Sequence, residues 1–127
     1  MVKSIEGVLL SSENAKALAE FYQDKVGIKI KEEYEMGEGK SAFEMDAGGG
    51  SGFMINDHAE VKGRSSQPQR YILNFEVGNI DEAIKNIEGK SVKKIADKYH
   101  IEGYGYIATF EDLDGNYFQL VQVKADE

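Results

Sequence analysis

Two short segments of the chain each combine an imidazole with a carboxylate, the side chains that bind many divalent metal ions. Asp57-His58-Ala59-Glu60 and His100-Ile101-Glu102 both place a histidine and an acid two residues apart. On an extended strand this spacing puts the two side chains on the same side. Both segments fall in predicted loops, however, where a histidine is more often a surface residue than a ligand. We therefore interpret both as surface residues and predict no metal site there.

A glycine-rich stretch, Gly37-Glu38-Gly39-Lys40-Ser41, ends like a phosphate-binding loop. Such a loop needs a different spacing before its Gly-Lys-Ser and a long helix after it, and Glu38 would repel a phosphate. Nucleophilic catalysis is disfavoured too, because the chain has no cysteine and neither Ser11 nor Ser12 stands in a Gly-x-Ser-x-Gly elbow. The sequence therefore offers no loop marked for phosphoryl or acyl transfer.

Aromatic side chains are spread over the predicted strands rather than clustered on a helix. Such rings stack on flat or cationic ligands, although a place in the hydrophobic core explains each of them as well. We retain Tyr106 and Tyr117 as candidate ligand contacts. Asn74, Glu76 and Glu44 stand on the strand faces opposite the apolar residues. Glu76 is either a cavity carboxylate, suited to a cationic ligand or to general-base chemistry, or a surface acid; both interpretations stay open.

Two helices are expected to position these strands. Ser12 is predicted to cap the first, in which apolar residues recur at helical spacing from Ala15 to Val26 and Gly27 is placed to end it. The second begins at Asn79, which is followed three residues later by an acid as in a capping box, and ends at Gly89.

The remaining segments are predicted as strands, such as Tyr71–Val77 with its alternating apolar and polar residues. The order is strand, helix, three strands, and then the same again. An offset of 65 residues places Gly7 on Ile72 and Met54 on Gln119. We predict an α+β fold in which a single domain holds two tandem βαβββ modules, residues 1–57 and 70–127. The linker, 58–69, permits the modules to pair within one chain or to swap between chains.

Two segments of the chain carry a resemblance to a known family. The first is Ala17–Tyr22 with Val26-Gly27, after the opening strand, and the second is Phe110–Leu120 with its Asp-x-Asp-Gly-Asn turn. Together they resemble the glyoxalase, bleomycin-resistance and extradiol-dioxygenase superfamily over nearly the whole chain. Leu113 replaces the usual proline of the second motif, a change that a turn containing Asp114-Gly115 tolerates. The resemblance implies two modules whose sheets curl around a cavity, often completed by a second chain.

Metal-dependent members of that family hold one divalent ion with His, Glu or Gln at four strand positions. The resemblance assigns these positions to Gly7, Met54, Ile72 and Gln119. Glycine and isoleucine offer no donor, and a thioether is too soft for a hard cation. The amide of Gln119 alone cannot compensate for the free-energy cost of removing water from such an ion. We therefore expect no metal ion and no cofactor. Gln119 is expected to keep a hydrogen-bonding group in the cavity without placing an unpaired charge there.

The composition excludes two classes of partner. The net charge is −8, with acidic and basic residues interspersed along the chain. This field repels phosphate backbones and anionic lipids, so we expect neither a nucleic-acid nor a membrane partner. No apolar run approaches the roughly 20 residues that cross a bilayer, and the first residues contain no signal-peptide stretch. We predict a cytoplasmic protein.

These observations predict a metal-free binding protein resembling bleomycin-resistance proteins, most simply a homodimer that sequesters a small molecule in an inter-module cavity. An aromatic ligand is expected, and the charge balance favours a cationic one. The expected ligand contacts are Met54, Asn74, Glu76, Tyr106, Tyr117 and Gln119. An alternative is an enzyme, either a lyase, isomerase or oxygenase with relocated metal ligands, or one that uses a carboxylate base. A third is a regulatory module whose cavity has lost its function.

Overall fold

The computed structural model of the chain describes residues 1–123 and divides into two compact units. The first unit is Met1–Gly63, and the second comprises the residues from Arg64 onward. The division therefore falls inside the predicted linker, 58–69. No helix within the described part of the chain has the length and apolar character needed to span a bilayer.

The first unit is a four-stranded mixed sheet with one helical segment. Its strand order is β1-β4-β3-β2, with β1 parallel to β4 and the other neighbours antiparallel. Along the chain its elements are β1 (Gly7–Ser12), α1 (Ala15–Phe21) continued by a π-helical turn (Tyr22–Val26), β2 (Lys29–Gly37), β3 (Lys40–Asp46) and β4 (Gly52–Asp57). The helical segment covers one face of this sheet and leaves the other, here called the helix-free face, without a helix of this unit.

The second unit repeats this arrangement. Its strand order is β5-β8-β7-β6, again with one parallel pair, β5 with β8. Its elements are β5 (Leu73–Glu76), α2 (Ile80–Glu88), β6 (Lys93–Ile101), β7 (Gly105–Glu111) and β8 (Tyr117–Val123). The prediction of an α+β fold with two tandem modules is confirmed. The last four residues of the predicted second module, 124–127, lie outside the described residues.

The N-cap of α1 differs from the sequence prediction. Asn14, not Ser12, is the cap, and its side-chain oxygen accepts a hydrogen bond from the backbone N–H of Ala17 at 3.1 Å. The Ser12 hydroxyl instead accepts from the backbone N–H of Asn14 at 3.0 Å. The predicted end is confirmed, because Gly27 adopts a φ of 91°, which side chains disfavour, and its N–H donates to the carbonyl of Tyr22.

In the second unit the predicted cap of α2 is confirmed. The side chain of Asn79 accepts from the backbone N–H of Glu82 at 3.1 Å, and Gly89 follows the last helical residue. The predicted strand Tyr71–Val77 is too long, because β5 spans only Leu73–Glu76. Tyr71 is 86% exposed and therefore gains nothing from a place in the sheet.

Each unit has its own core between helix and sheet. In the first, Tyr22 packs edge-on against Phe53, with ring centroids 5.6 Å apart. In the second, Phe110 and Phe118 stack at 5.8 Å, and both are fully buried. Burying one such side chain stabilises the fold by roughly 1.5–3 kcal/mol. These ring contacts therefore bury one face of each sheet against the helix of its own unit.

Two neighbouring residues anchor the junction between the units, each within its own unit. The backbone N–H of Gly63 donates to the carboxylate of Glu13 at 2.9 Å in the first unit. The guanidinium of Arg64 pairs with Glu111 in the second unit and lies against Gly115 of the turn between β7 and β8. The change from one unit to the other therefore takes place at a single peptide bond.

Candidate ligand-binding site

A row of polar side chains crosses the helix-free face of the second sheet. Asn74 on β5 pairs with Gln119 on β8, and Gln119 pairs with Thr109 on β7. The side-chain amide of Gln119 donates to the Thr109 hydroxyl at 3.0 Å, which leaves its carbonyl oxygen to accept from a ligand. Asn74 is exposed and its amide has no partner among residues 1–123. This face therefore presents uncharged donors and acceptors side by side.

Two further predicted residues lie on the same face, on either side of that row. Tyr117 pairs with Glu111 across β7 and β8 and is half-buried. Glu76 pairs with Val121 across β5 and β8, and it is exposed. Because side chains alternate along a strand, both point to the same side as Gln119. The second unit thus brings together four of the six predicted contacts: a ring, a carboxylate and two amides.

Tyr106 lies on the opposite face of the second sheet. It pairs with Gln122, whose side-chain oxygen accepts from the backbone N–H of Ile80 at the start of α2. The ring of Tyr106 lies 4.8 Å from that of His100, and the ammonium of Lys98 lies 5.1 Å from its centroid. The structure therefore does not bring Tyr106 together with the row of amides.

Met54, the sixth predicted contact, lies on the helix-free face of the first sheet. Its neighbours in register are Leu9 on β1 and Glu44 on β3. Met54 is half-buried, whereas Leu9 is 62% exposed. The two side chains form an apolar surface beside a carboxylate, an arrangement that suits a ligand with an apolar body and a basic group.

That carboxylate belongs to a small polar cluster on β2 and β3. The hydroxyl of Tyr34 donates to Glu44 at 3.0 Å, and the ammonium of Lys31 lies 3.6 Å from the other carboxylate oxygen. The hydrogen bond to Glu44 raises the pKa of Tyr34, with burial and the nearby acids adding to the effect. The sequence analysis singled out Glu44 without pairing it with Tyr34. The register of the β2–β3 hairpin is the signal that would have joined them.

A second polar pair on this face was missed. The hydroxyl of Ser11 on β1 donates to the side-chain oxygen of Asn56 on β4 at 2.9 Å. The two residues are directly opposite in the parallel pair. Only the register of β1 against β4, which depends on residues distant in sequence, places them together.

The positions that the family resemblance assigns to a metal do not fit one. A Cβ atom added to Gly7 would lie 2.6 Å from the carbonyl oxygen of Gly52, so a ligating side chain there would require the strands to move apart. Met54 contributes only a thioether, and Ile72 contributes no donor. Within residues 1–123, no three His, Asp or Glu side chains come close enough to hold an ion. Gln119 is therefore left as a hydrogen-bonding residue.

The two histidines of the sequence analysis are exposed. The Nδ1 atom of His58 accepts from the backbone N–H of Glu60 at 3.1 Å, so that this nitrogen carries a lone pair and Nε2 carries the proton. His100 packs against Tyr106 as described above. Neither imidazole belongs to a cluster of ligating residues in the described part of the chain.

Comparison with known proteins identifies relatives of this arrangement. The family model described as Glyoxalase/Bleomycin resistance protein/Dioxygenase superfamily matches residues 4–120. A comparison with curated proteins found no match.

Solved structures of similar fold include a glyoxylase/bleomycin resistance protein/dioxygenase domain from Frankia sp. EAN1pec, with 14% identity, a TM-score of 0.78, and coverage of 98% of this chain and 100% of that one. An antibiotic binding protein from Streptomyces sp. CB03234 has 16% identity and a TM-score of 0.75 over 97% of this chain and 98% of that one. A fosfomycin resistance protein from Listeria monocytogenes has 16% identity and a TM-score of 0.74 over 98% and 96%. At these identities the similarity establishes the fold.

Proposed function

The chain belongs to the Glyoxalase/Bleomycin resistance protein/Dioxygenase superfamily, and from this we propose that it binds a small organic molecule without a metal ion. The observation that carries the proposal is the chemistry of the family's four metal positions. Gly7, Met54 and Ile72 lack a suitable donor, and the side-chain oxygen of Gln119 is a single neutral ligand, which is too few to hold a hard cation. Replacing a ligating set by apolar groups and one amide removes ion binding but keeps directional hydrogen bonding.

The proposed contacts are the helix-free faces of the two sheets, each taken by itself. On the second sheet, Asn74 and Gln119 supply uncharged hydrogen-bonding groups, and Tyr117 supplies a ring face. On the first, Met54 and Leu9 supply apolar area. Binding sites of this composition hold a ligand by apolar burial and orient it by a few polar groups. An aromatic ligand with hydrogen-bonding substituents matches the contacts of the second sheet.

Charge favours a cationic member of that class. The chain carries a net charge of −8. Glu76 is exposed on the helix-free face of the second sheet, whereas Glu44 on the first sheet already has the ammonium of Lys31 at 3.6 Å. A cation is therefore attracted by the long-range field and by Glu76. The similarity in fold to the antibiotic binding protein from Streptomyces supports the proposal of a small organic ligand.

Two measurements on the purified protein test the proposal. Metal analysis after dialysis is expected to find no stoichiometric Ni, Zn, Fe or Mn. A thermal-shift screen against aromatic cations and antibiotics is expected to raise the Tm as the ligand concentration exceeds its Kd. Stoichiometric metal together with turnover that a chelator abolishes would establish the enzyme alternative instead. A screen without any shift would favour a regulatory module.

Two pairs of variants locate the site once the screen has yielded a ligand. Gln119→Ala and Tyr117→Ala are expected to weaken binding about tenfold or more, because each removes an oriented contact. Gln69→Ala and Tyr71→Ala are the matched controls, since both residues are exposed and lie outside the sheets. Equal losses in variants and controls would place the ligand elsewhere.

A homodimer, which the resemblance implies, is part of the proposal. Light scattering coupled to size exclusion is expected to give twice the mass of 14.1 kDa. If the protein is a monomer and still binds the ligand, binding does not require a dimer, and this part of the proposal is wrong.

A further inference from the structure

A polar cavity in the first unit lies apart from the helix-free face of its sheet. It has a volume of about 310 Å³ and is bordered by the start of α1, the β2–β3 turn, and the end of β4 with the residues that follow it. The volume corresponds to about ten water molecules. Ligand sites begin at roughly this size, so the cavity suits a small molecule.

Hydrogen bonds hold the three bordering segments together. The carboxylate of Asp57 accepts from the backbone N–H of Ala15 at 2.8 Å and from that of Ser41 at 2.9 Å. The backbone N–H of His58 donates to the carbonyl of Ser12 at 3.1 Å. One residue at the end of β4 thus fixes both the helix and the hairpin, and the cavity is formed before a ligand arrives. Such preorganisation lowers the entropy cost of binding.

Four side chains at the cavity have hydrogen-bond donors that no residue in the described part of the chain uses. The ammonium groups of Lys40 and Lys62 have no carboxylate within 4 Å in the described part of the chain. His58 presents its Nε2–H, since its Nδ1 accepts from the backbone. Asn14 presents its NH₂ group, because its oxygen caps α1. Two cations and two neutral donors at one cavity suit a carboxylate group.

The acidic residues at the cavity are not equivalent. The carboxylates of Glu13 and Asp57 are engaged by backbone N–H groups, whereas Glu38 has no partner among residues 1–123. With three carboxylates against two ammonium groups and an acidic protein around it, a simple anion is repelled at long range. A zwitterion has no net charge and escapes this penalty, and Glu38 is the carboxylate at the cavity that is free to pair with an ammonium group.

We propose that this cavity is a second binding site, for a zwitterion of the size of a free amino acid. Lys40, Lys62, His58 and Asn14 contact the carboxylate of the ligand, and Glu38 contacts its ammonium group. The site uses none of the residues assigned to the first ligand. It therefore stands or falls independently of the proposed function.

Amide chemical shifts of the isotope-labelled full chain test this site. The probes are the free L-amino acids, each added to about 10 mM, which detects a Kd in the millimolar range or below. At least one is expected to shift the resonances of Gly39, Lys40 and His58 in a saturable way. Acetate and methylamine, which carry only one of the two charges, are expected to bind at least about tenfold more weakly.

Single variants assign the two charged ends of the ligand. Lys62→Gln and Glu38→Gln are each expected to weaken binding of the amino acid about tenfold, and both residues are exposed, so that folding is preserved. Lys90→Gln, exposed and distant in sequence from the cavity, is the control and is expected to bind as the parent does. No saturable shift with any amino acid would overturn the proposal. Acetate binding as tightly, or an equal loss in the control, would overturn it too.

Discussion

Replacing Asp57 by asparagine tests whether one side chain ties the first unit together. Its two carboxylate oxygens accept from Ala15 and Ser41, at the start of α1 and in β3, at 2.8 and 2.9 Å. Asparagine has the same shape but only one oxygen. Its NH₂ group would face a backbone N–H, so one hydrogen bond is lost, and the other loses the assistance of the charge.

The expected cost follows from these two bonds. A hydrogen bond to a charged group contributes about 1.5–3 kcal/mol, so we expect Asp57→Asn to lower the free energy of unfolding by about 2–3 kcal/mol. For a chain of this length that corresponds to a decrease in Tm of roughly 6–12 °C. Urea unfolding followed by circular dichroism measures the free energy, and a thermal scan measures the Tm.

Asp46→Asn is the matched control for this substitution. Asp46 ends β3 and is exposed, and its side chain makes no hydrogen bond or ion pair among residues 1–123. We expect its free energy of unfolding to change by less than about 0.5 kcal/mol. If Asp57→Asn were no more costly than the control, the carboxylate would not be holding the two segments, and the cavity next to it would lose its preformed walls.

Three further predictions concern the strands. Gly105→Ala is expected to destabilise by about 1–3 kcal/mol in urea unfolding, because its Cβ would lie 2.0 Å from a carbonyl oxygen of β8; Gly78→Ala, with open space around it, is the control. The hydrogen bond to the Glu44 carboxylate raises the pKa of Tyr34. In an absorbance titration, Tyr34→Phe is expected to remove a tyrosine that titrates at high pH, and Glu44→Gln is expected to lower the pKa of Tyr34 toward its ordinary value. Titration curves that both substitutions leave unchanged would contradict the pairing. The hydrogen-bonded ion pair with Asp81 of α2 raises the pKa of Lys98. The ion pair therefore contributes fully to stability below the ordinary lysine pKa, and this contribution is lost as the pH rises through the pKa of the folded protein. The Tm of Lys98→Met is expected to fall less than that of the parent above about pH 10, and identical Tm profiles would contradict the pairing.

The sequence predicted the fold because local signals agreed with each other. Asn79 and Gly89 mark the ends of α2, and Gly27 marks the end of the helical segment of the first unit. The cap of α1 was misassigned because Ser12 and Asn14 are both good caps. The choice between them depends on where β1 ends, and Ser12 is still part of that strand.

The sequence predicted those features of the candidate site that follow from the alternation of side chains within a single strand. Alternation along β5 and β8 placed Asn74 and Gln119 on one face, and the structure has them there. Tyr106 and Tyr117 were both retained because aromatic rings on predicted strands suit stacking on a ligand, and no pattern in the sequence assigned them to the same face. Their faces depend on the register that the β7–β8 turn sets, in which Glu111 pairs with Tyr117.

The polar cavity of the first unit lay beyond any pattern in the sequence. Its lining comes from three segments that are distant along the chain. They include residues 38–40 of the glycine-rich stretch and His58, which the sequence predicted to have no binding role. Neither segment has a recognisable motif by itself. These segments lie together because of the hydrogen bonds of Asp57. A hydrogen bond between residues that are distant in sequence produces no repeating pattern of residue types in either segment.

The anchoring of Gly63 and Arg64 has a consequence for how such a chain can be divided. Gly63 is held by Glu13, while Arg64 is held by Glu111. If the polypeptide were split between these two residues and the halves produced separately, each fragment would keep its own sheet, its own helix and its own anchor. The peptide bond between Gly63 and Arg64 is therefore the position at which cutting the chain separates the two units without breaking either of these two contacts.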